Sequence, residues 1–393
     1  MKINPPLLAL AVGAFGIGVT EFAPMGLLPI MAGDLGVSIP AAGLLVSAYA
    51  FGVLIGAPLM TLTTGKVARR TLLVGLMGIF TVGNLLSAIA PDYWTLMAAR
   101  VLTSFNHGAF FGVGAIVAAS VVAPNRRAGA VAAMFMGLTI ANVTGVPLAA
   151  WAGDVLGWRA SFWGIAGLGA LAMIALRLTL PKGEVAPSTD GGAMKAELAV
   201  LKRGPVLAAL ALTVLGSSAM FTVFTYIAPI LTEKTHATTA FVTAMLVVYG
   251  LGLTLGNWLG GRFADKSVDR TLVVTLAALA VLLVAFAVLM PWKLAAAPLI
   301  FLWGVASFAL VPPLQMRVMA AASEAPNLAS AMNIGAFNLG NAIGAALGGA
   351  VISAGLGYPA VSLAGAAMAV SGLALVLLLV RREARPIPAA EAC

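Results

Sequence analysis

The chain has 393 residues, of which 61% are hydrophobic and only 9% charged, and its formal net charge is +9. A soluble globular protein carries roughly 25% charged residues, so this composition excludes a chain of this size covered by water. The positive balance does not point to nucleic acid, because Lys and Arg sit in short clusters between apolar segments, as they do in the loops of membrane proteins.

A helix that crosses a bilayer needs about 20 mostly apolar residues. The first such stretch, about 6–31, runs well past the roughly 7–15-residue core of a signal peptide, and reads as a membrane helix. Five more follow at about 39–63, 71–90, 94–122, 129–151 and 158–180. A polar interval of about 182–203, from Lys182 to Arg203, holds Pro187, Ser188, Thr189, Asp190 and the pair Gly191–Gly192. Beyond it lie six further stretches, at about 204–231, 239–261, 271–290, 294–319, 328–352 and 360–380. The expected fold is an all-α membrane protein of twelve transmembrane helices. Its domains are a six-helix bundle over 1–181, a linker over 182–203 and a second six-helix bundle over 204–393.

Lys and Arg set the orientation. With the N-terminus inside, the inner loops carry Lys2; Lys66, Arg69 and Arg70; Arg126 and Arg127; Lys182, Lys195, Lys202 and Arg203; Arg262, Lys266 and Arg270; Arg317; and Arg381, Arg382 and Arg385. The outer loops keep only Arg159, Lys234 and Lys293, with Asp34, Asp92, Asp154 and Glu233. Both termini and the linker are therefore expected in the cytoplasm. The single Cys393 permits no disulfide framework.

The two halves repeat. Tyr49, Gly52 and Gly56 fall on Tyr249, Gly252 and Gly256, and Arg70, Thr71, Leu72 and Val74 on Arg270, Thr271, Leu272 and Val274. Pro124-Asn125 matches Pro326-Asn327, and the stripe Gly137, Ala141, Gly145 matches Gly340, Gly344, Gly348. Recurrent Gly alone does not account for the paired Tyr, Arg and Thr. Six spans per half bring both halves in from the same side, so the repeat is parallel. Transporters built this way hold their substrate at the interface of the halves, near the bilayer midplane.

Among the 13 acidic residues, Glu21 alone lies well inside a predicted span. An ionisable group there is costly and marks a functional site by default, against the plainer role of a hydrogen-bonded Glu that fixes helix packing. Arg100 and His107 are seven residues apart, about two helical turns, and share a face. From the outer helix ends, at about 1.5 Å per residue, Glu21 lies roughly 15 Å deep, Arg100 roughly 9 Å and His107 roughly 20 Å. An ionised Glu21 can pair with Arg100; protonation weakens that attraction. The alternative for His107 is an imidazole satisfied by a backbone carbonyl, and for Arg100 an ion pair that only staples helices. Asn142, Thr225, Tyr226, Asn257, Gln315, Asn333, Asn338 and Asn341 are further polar residues inside spans. Each alone reads as an interhelical hydrogen bond; together they form a candidate cavity lining. Phe110, Phe111, Phe221, Phe224 and Trp303 supply a candidate aromatic lining, or ordinary core packing.

The loop Gly261-Arg262-Phe263-Ala264-Asp265-Lys266-Ser267-Val268-Asp269-Arg270 resembles the signature loop of the major facilitator superfamily. Its first-half copy, Gly65-Lys66-Val67-Ala68-Arg69-Arg70, keeps the basic end but has Gly65 in place of Asp265. Ala99-Arg100-Val101-Leu102, continuing to Gly108 and Gly112, is similar to the family's helix-4 motif. Gly137, Gly145, Val146 and Pro147 form a loose version of the helix-5 pattern associated with antiporters. Thr20-Glu21-Phe22, Asn106-His107-Gly108-Ala109-Phe110-Phe111-Gly112 and Pro312-Pro313-Leu314-Gln315-Met316-Arg317 resemble the arabinose-efflux-permease-like branch of the drug:proton antiporters. The resemblance spans nearly the whole chain. It implies a cavity lined by helices 1, 4, 7 and 10, and proton-driven efflux of small organic molecules by alternating access. The implied proton-coupling residues are Glu21, Arg100 and His107. The implied cavity residues are Phe22, Asn106, Phe110, Asn142, Phe221, Thr225, Tyr226, Trp303, Gln315, Asn333 and Asn338. Arg70, Asp265 and Arg270 are the implied cytoplasmic latch.

The rival expectations are efflux of a sugar or metabolite by the same mechanism, and uptake by proton symport. An enzyme is not expected: with 2 His and a terminal Cys a metal site is hard to build, and neither His-Glu-x-x-His nor Gly-x-Ser-x-Gly occurs. The twofold repeat argues against a pore-type channel. The expected setting is a monomer in a bacterial inner membrane. Its partners are protons, a small-molecule substrate and the lipid bilayer, with no cofactor and no nucleic acid.

Overall fold

The computed structural model describes residues 4–64, 67–181, 199–200, 202–324 and 326–383. Lys2, Gly65, Lys66, Arg385, Cys393 and nearly all of the expected linker, including Lys182 and Lys195, lie outside the described residues. Among the described residues, twelve helices are long and apolar enough to span a membrane. They are α1 (Pro5–Asp34), α2 (Ile39–Thr63), α3 (Arg69–Ile89), α4 (Tyr93–Ser120), α5 (Arg127–Ile140, then Val146–Leu156) and α6 (Trp158–Thr179). The second set is α7 (Gly204–Phe224, then Ile227–Glu233), α8 (Thr239–Ala264), α9 (Val268–Leu289), α10 (Lys293–Ala309, then Val311–Ala321), α11 (Pro326–Ser353) and α12 (Gly357–Glu383).

Local chemistry sets the helix ends. The Asp92 carboxylate accepts from Trp94 and Thr95 N–H at 2.9 Å and opens α4. Ser38, Thr238 and Ser267 cap α2, α8 and α9 in the same way, each satisfying a donor the helix leaves open. Gly157, at φ 88°, turns α5 directly into α6, a backbone state that a side chain would strain.

Three spans expected as continuous helices are broken. A π turn over Ala141–Gly145 interrupts α5 just before Pro147. In α7 the break falls at Thr225 and Tyr226, ahead of Pro229; in α10 it falls at Leu310, ahead of Pro312 and Pro313. The cause is common to all three. Proline has no N–H to donate and its ring crowds the carbonyl four residues earlier. In α1, by contrast, Pro24 and Pro29 lie within one helix.

One hydrophobic core lies wholly within α1–α6, with Phe80, Phe110, Trp158 and Phe162 among its largest members. A second fills α7–α12 and takes in Phe22, Met25, Leu28, Ala42, Val46 and Ala150 from the first half. The halves meet along α2 with α11 and along α5 with α8. Ser47 Oγ donates to the Ala342 carbonyl at 3.0 Å, and Gly250 lies against the Asn142 backbone. The contact extends to the end of the bundle that carries Asp34, Asp92 and Glu233, where Gly43 lies against Tyr226 and Gly349 against Pro40. Within the second half, Arg203 and Glu324 form a bidentate pair at 2.9 and 2.8 Å that ties the start of α7 to the end of α10. The pair is exposed, and the guanidinium holds the Glu324 carboxyl below its ordinary range.

Glycine lets helices approach backbone to backbone. A Cβ at Gly256 of α8 would collide with the Val305 carbonyl of α10, and Gly261, one turn on, faces open space. Overpacking costs about 1–3 kcal/mol even where side chains can yield, and here the obstacle is backbone. Gly256→Val is therefore expected to lower the melting temperature in detergent and broaden the size-exclusion peak. Gly261→Ala should leave both unchanged or slightly improved. Equal melting of the two variants would rule out this contact as a determinant of stability.

Candidate functional site

Two buried centres face each other where the halves meet. The first is polar. Glu21, in the middle of α1, is 6% exposed, and His107 and Arg100 of α4 are 5% and 0% exposed. The Glu21 carboxylate lies 3.9 Å from His107 Nδ1. From the other half, Asn341 Nδ2 of α11 donates to Glu21 Oε1 at 3.4 Å. Tyr49 of α2 completes the group, its hydroxyl 3.2 Å from the same His107 Nδ1. One imidazole nitrogen thus has both a phenol and a carboxylate for neighbours. Without a proton, Nδ1 accepts from the Tyr49 hydroxyl; with one, it can donate toward the Tyr49 oxygen or the Glu21 carboxylate.

Arg100 is not the ion-pair partner of Glu21 that the sequence suggests. Its Nη1 donates to the carbonyl and hydroxyl of the preceding residue, Thr20, at 2.9 and 3.2 Å. The Thr20 hydroxyl in turn donates to Asn84 Oδ1 at 2.7 Å. The guanidinium carbon sits 4.3 Å from the Tyr49 ring centre, a cation–π contact that strengthens when water is excluded. Arg100 therefore clamps α1 beside Glu21 and acts on the carboxylate as a nearby charge. Its Nε and Nη2 have no hydrogen-bond partner among the described residues. His107, for its part, bonds a tyrosine hydroxyl and not the backbone carbonyl considered for it.

The second centre is aromatic. Phe22, next to Glu21, stacks on Phe221 at 5.9 Å and meets Phe224 edge-on at 6.2 Å. Phe224 stacks on Tyr249 at 4.3 Å, and Tyr249 lies 4.8 Å from Trp303. Phe337 and Phe286 close the cluster against Phe221 and Trp303. The Tyr249 hydroxyl lies beside Ser307. Trp303 Nε1 is buried with no hydrogen-bond partner among the described residues. Phe22 is the one ring of this cluster from the first half, so the two centres join at residues 21 and 22.

The remaining candidates are distributed. Asn106 is fully buried, and both its amide atoms lack partners among the described residues. Asn338 bonds the Ile334 carbonyl through its nitrogen at 3.0 Å and leaves its oxygen free of such bonds. Asn142 sits in the π turn of α5 and bonds the Leu138 carbonyl. Gln315 and Asn333 belong to a separate chain: Thr213 donates to Asn333, which donates to Gln315 at 2.6 Å, which donates to Ser330 at 2.8 Å. That chain ties α7, α10 and α11 together inside the second half. Thr225 bonds the Phe221 carbonyl within its own helix. Tyr226 reaches the Ala345 carbonyl at 2.7 Å and fills the space left by Gly43 and Gly349. Phe110 packs on Gly13 in the first-half core, away from the aromatic cluster.

The proposed latch residues stand apart. Asp265 and Arg270 are exposed, and neither side chain forms an ion pair among the described residues. Arg70 donates to the Arg177 carbonyl within its own half. The acid engaged in this loop is Asp269, paired with Arg317. Sequence reasoning passed over Tyr49, Tyr249 and Asn84 as site residues. The two tyrosines did carry a signal, since each is the other's partner in the internal repeat.

Twelve spanning helices in two sets of six, with a polar and an aromatic centre meeting between them, define a membrane transporter. The sequence profile of the Major Facilitator Superfamily matches residues 10–335, and the chain belongs to that superfamily. It is 60% identical over 386 residues to the inner membrane transport protein YdhP of Escherichia coli K12, covering 98% of each chain. It is 34% identical to a chloramphenicol resistance protein of Streptomyces lividans, covering 86% of this chain and 87% of that one. The fold also matches the crystal structure of a bacterial homologue of the human lysosomal transporter Spinster, inward-facing and unoccupied. The TM-score is 0.73 at 17% identity, over 99% of this chain and 100% of that one. The protein is a transporter and not an enzyme.

Hydrogen bonds to a charged group contribute about 1.5–3 kcal/mol, and Lys cannot reproduce both the planar stack and the fork of Arg. Arg100→Lys is therefore expected to lower the melting temperature measurably in detergent, and Tyr49→Leu, which removes the facing ring, to do so as well. An Arg100→Lys protein that melts with the wild type would mean that the Thr20 clamp does not hold α1.

Proposed function

We propose that the protein is a proton-coupled exporter of small, largely apolar organic molecules that works by alternating access. The observation that carries this reading is Glu21. It is the only acid deep in a span, it lies beside a titratable imidazole, and its other oxygen is bonded across the interface to Asn341. Ionised, Glu21 accepts from Asn341 and holds the two halves together at mid-depth. Protonated, it loses the charge that favours that bond. A group whose two protonation states differ in contacts between the halves can bias which way the protein opens. The halves, read as residues 1–181 and 204–393, are the moving bodies, with the stretch between them as linker.

The aromatic cluster supports an apolar or aromatic substrate that stacks beside Phe22, Phe224 and Trp303. The Streptomyces relative, named for resistance to an aromatic antibiotic, agrees with this. Asn106, Asn338 and Trp303 offer free polar atoms to the polar end of such a molecule. A sugar is the second reading, favoured by those same amides and opposed by the density of rings.

Positive charge in the loops supports cytoplasmic termini and residence in a bacterial inner membrane. The interface then closes at the outer end, as in an inward-facing state. Asp265 and Arg270 can engage when the inner side closes, and Arg70 can do so on leaving the Arg177 carbonyl. With this orientation a cysteine placed at 234 should be labelled from outside in sealed cells, and one at 266 should not. Rapid external labelling of 266 would invert the topology.

The coupling reading is tested in proteoliposomes with an imposed pH gradient, using chloramphenicol among a panel of aromatic antibiotics as transported probe. Glu21→Gln should abolish gradient-driven flux, a loss of at least about a hundredfold, while the protein stays folded and still binds the probe. Glu21→Asp should retain part of the activity, and His107→Ala should shift the pH profile. Asp265→Asn should slow transport without loss of binding. Wild-type flux in Glu21→Gln, with its response to the gradient intact, would place the proton path elsewhere.

A further inference from the structure

A groove of about 920 Å³ opens on the outer wall of the second half, between α8, α9 and α10. None of its lining residues belongs to either centre. Its floor is made of small residues, Gly260, Ala277, Ala278, Ala306 and Ala309, and Gly260 packs directly on the Ala309 backbone. Its walls are Phe263, Val274, Val281 and Leu302, exposed by 48%, 58%, 67% and 47%. The groove is thus apolar along its length and open to the side, where the bilayer lies.

One end differs. Lys266, Ser267, Arg270 and Thr271 line the mouth. Lys266 and Arg270 are exposed, and neither side chain forms an ion pair among the described residues. The nearby Asp269 carboxylate is taken up by Arg317. Asp265 is exposed but does not line the groove. The mouth is therefore net positive, and the capped N-terminus of α9, with Ser267 accepting from Arg270 N–H, adds to that sign.

Depth identifies the occupant. Along α9 the groove runs from Arg270 to Val281, which at about 1.5 Å per residue is about 16 Å. The hydrocarbon core of a bilayer is about 30 Å thick, so the groove is one leaflet deep. The mouth also lies at headgroup level by an independent sign. Exposed Trp258 on α8 carries the Arg262 guanidinium 5.6 Å above its ring, and Trp with Arg is the residue pairing of the membrane–water interface. A slot of one-leaflet depth, apolar inside and cationic at the headgroup plane, fits a phospholipid with a negative headgroup.

We propose that this groove is a binding site for a single anionic phospholipid, with an acyl chain along α9 and the headgroup phosphate held by Lys266 and Arg270. The small floor residues make room for the chain, and the two cations select against zwitterionic lipids. Either end of the molecule alone is a weak ligand: the chain lacks a charge to fix it, and a free phosphate lacks the groove.

The test is lipid retention by the purified full chain in detergent, read by native mass spectrometry. Phosphatidylglycerol, phosphatidylcholine and inorganic phosphate are titrated separately. The wild type should retain one phosphatidylglycerol in preference to phosphatidylcholine and should not retain phosphate. At about fivefold per basic residue, Lys266→Gln with Arg270→Gln should weaken phosphatidylglycerol retention about twenty-fivefold. Ala278→Phe, which fills the floor and leaves the charges, should also weaken it. The exposed pair Arg126 and Arg127, changed to Gln, should have no effect. If the double variant does not fold, each single variant is read for its fivefold share. Retention unchanged in the Lys266 and Arg270 variants, equal loss in the Arg126 and Arg127 control, equal retention of phosphatidylcholine, or retention of phosphate alone would each overturn the proposal. Because the readout is binding, any effect of Arg270 on transport does not enter.

Discussion

Lipid gives apolar helices little reason to prefer one another, so association must come from close packing and from polar groups with nowhere else to go. In this protein the close packing is carried by glycines set against the backbone of a neighbouring helix. Gly52 and Gly56 of α2 lie on Ser104 and Phe105 of α4, and Gly252 and Gly256 of α8 lie on Phe301 and Val305 of α10. Gly137 of α5 meets Ala11 of α1, and Gly340 of α11 meets Val214 of α7. Each half is thereby drawn tight around its own core. The contact between halves runs along α2 with α11 and α5 with α8, and through Glu21 and Phe22 of α1 to Asn341, Phe221 and Phe224, so the surface that would have to change during transport differs from the glycine contacts that hold each half together.

The same repeat shows how the halves have specialised. Tyr49 and Tyr249 occupy equivalent places and both face the fourth helix of their half. In the first half Tyr49 covers Arg100; in the second, Tyr249 covers Trp303. A cation stands on one side and an indole on the other. The first half accordingly holds the charged apparatus of Glu21, Arg100 and His107, and the second supplies nearly all the rings. Glu21 and Phe22, adjacent on α1, bring the two chemistries into contact.

Much of this was legible from the residues. Twelve apolar stretches and the paired Tyr and Gly positions gave the architecture, because span length and small-residue stripes are local properties of the chain. Glu21 stood out because a lone acid in an apolar run is costly wherever it points. Partners were not legible. Nothing local says that Arg100 bonds Thr20 and not Glu21, that Asn341 crosses from the other half, or that Asp269, not Asp265, meets Arg317. Those depend on how helices rotate against each other, which periodicity cannot fix when a helix is apolar all round. The breaks in α5, α7 and α10 could have been inferred from Pro147, Pro229, Pro312 and Pro313, but α1 shows that proline alone is an unreliable sign.

The proposed coupling through a single deep carboxyl would also set a limit on the gradient. If, as proposed, Glu21 couples export to the entry of one proton per cycle, a pH difference of one unit contributes about 1.36 kcal/mol. A membrane potential of 100 mV adds about 2.3 kcal/mol for the charge that moves. The sum, about 3.7 kcal/mol, sustains a gradient of an uncharged solute of a few hundredfold, at about 1.4 kcal/mol per factor of ten. On the proposed coupling, an uncharged exported solute would be held at most a few hundred times below its outside level. A monovalent cation leaving against the incoming proton would cancel the charge movement, and its gradient would fall to about tenfold under the same conditions.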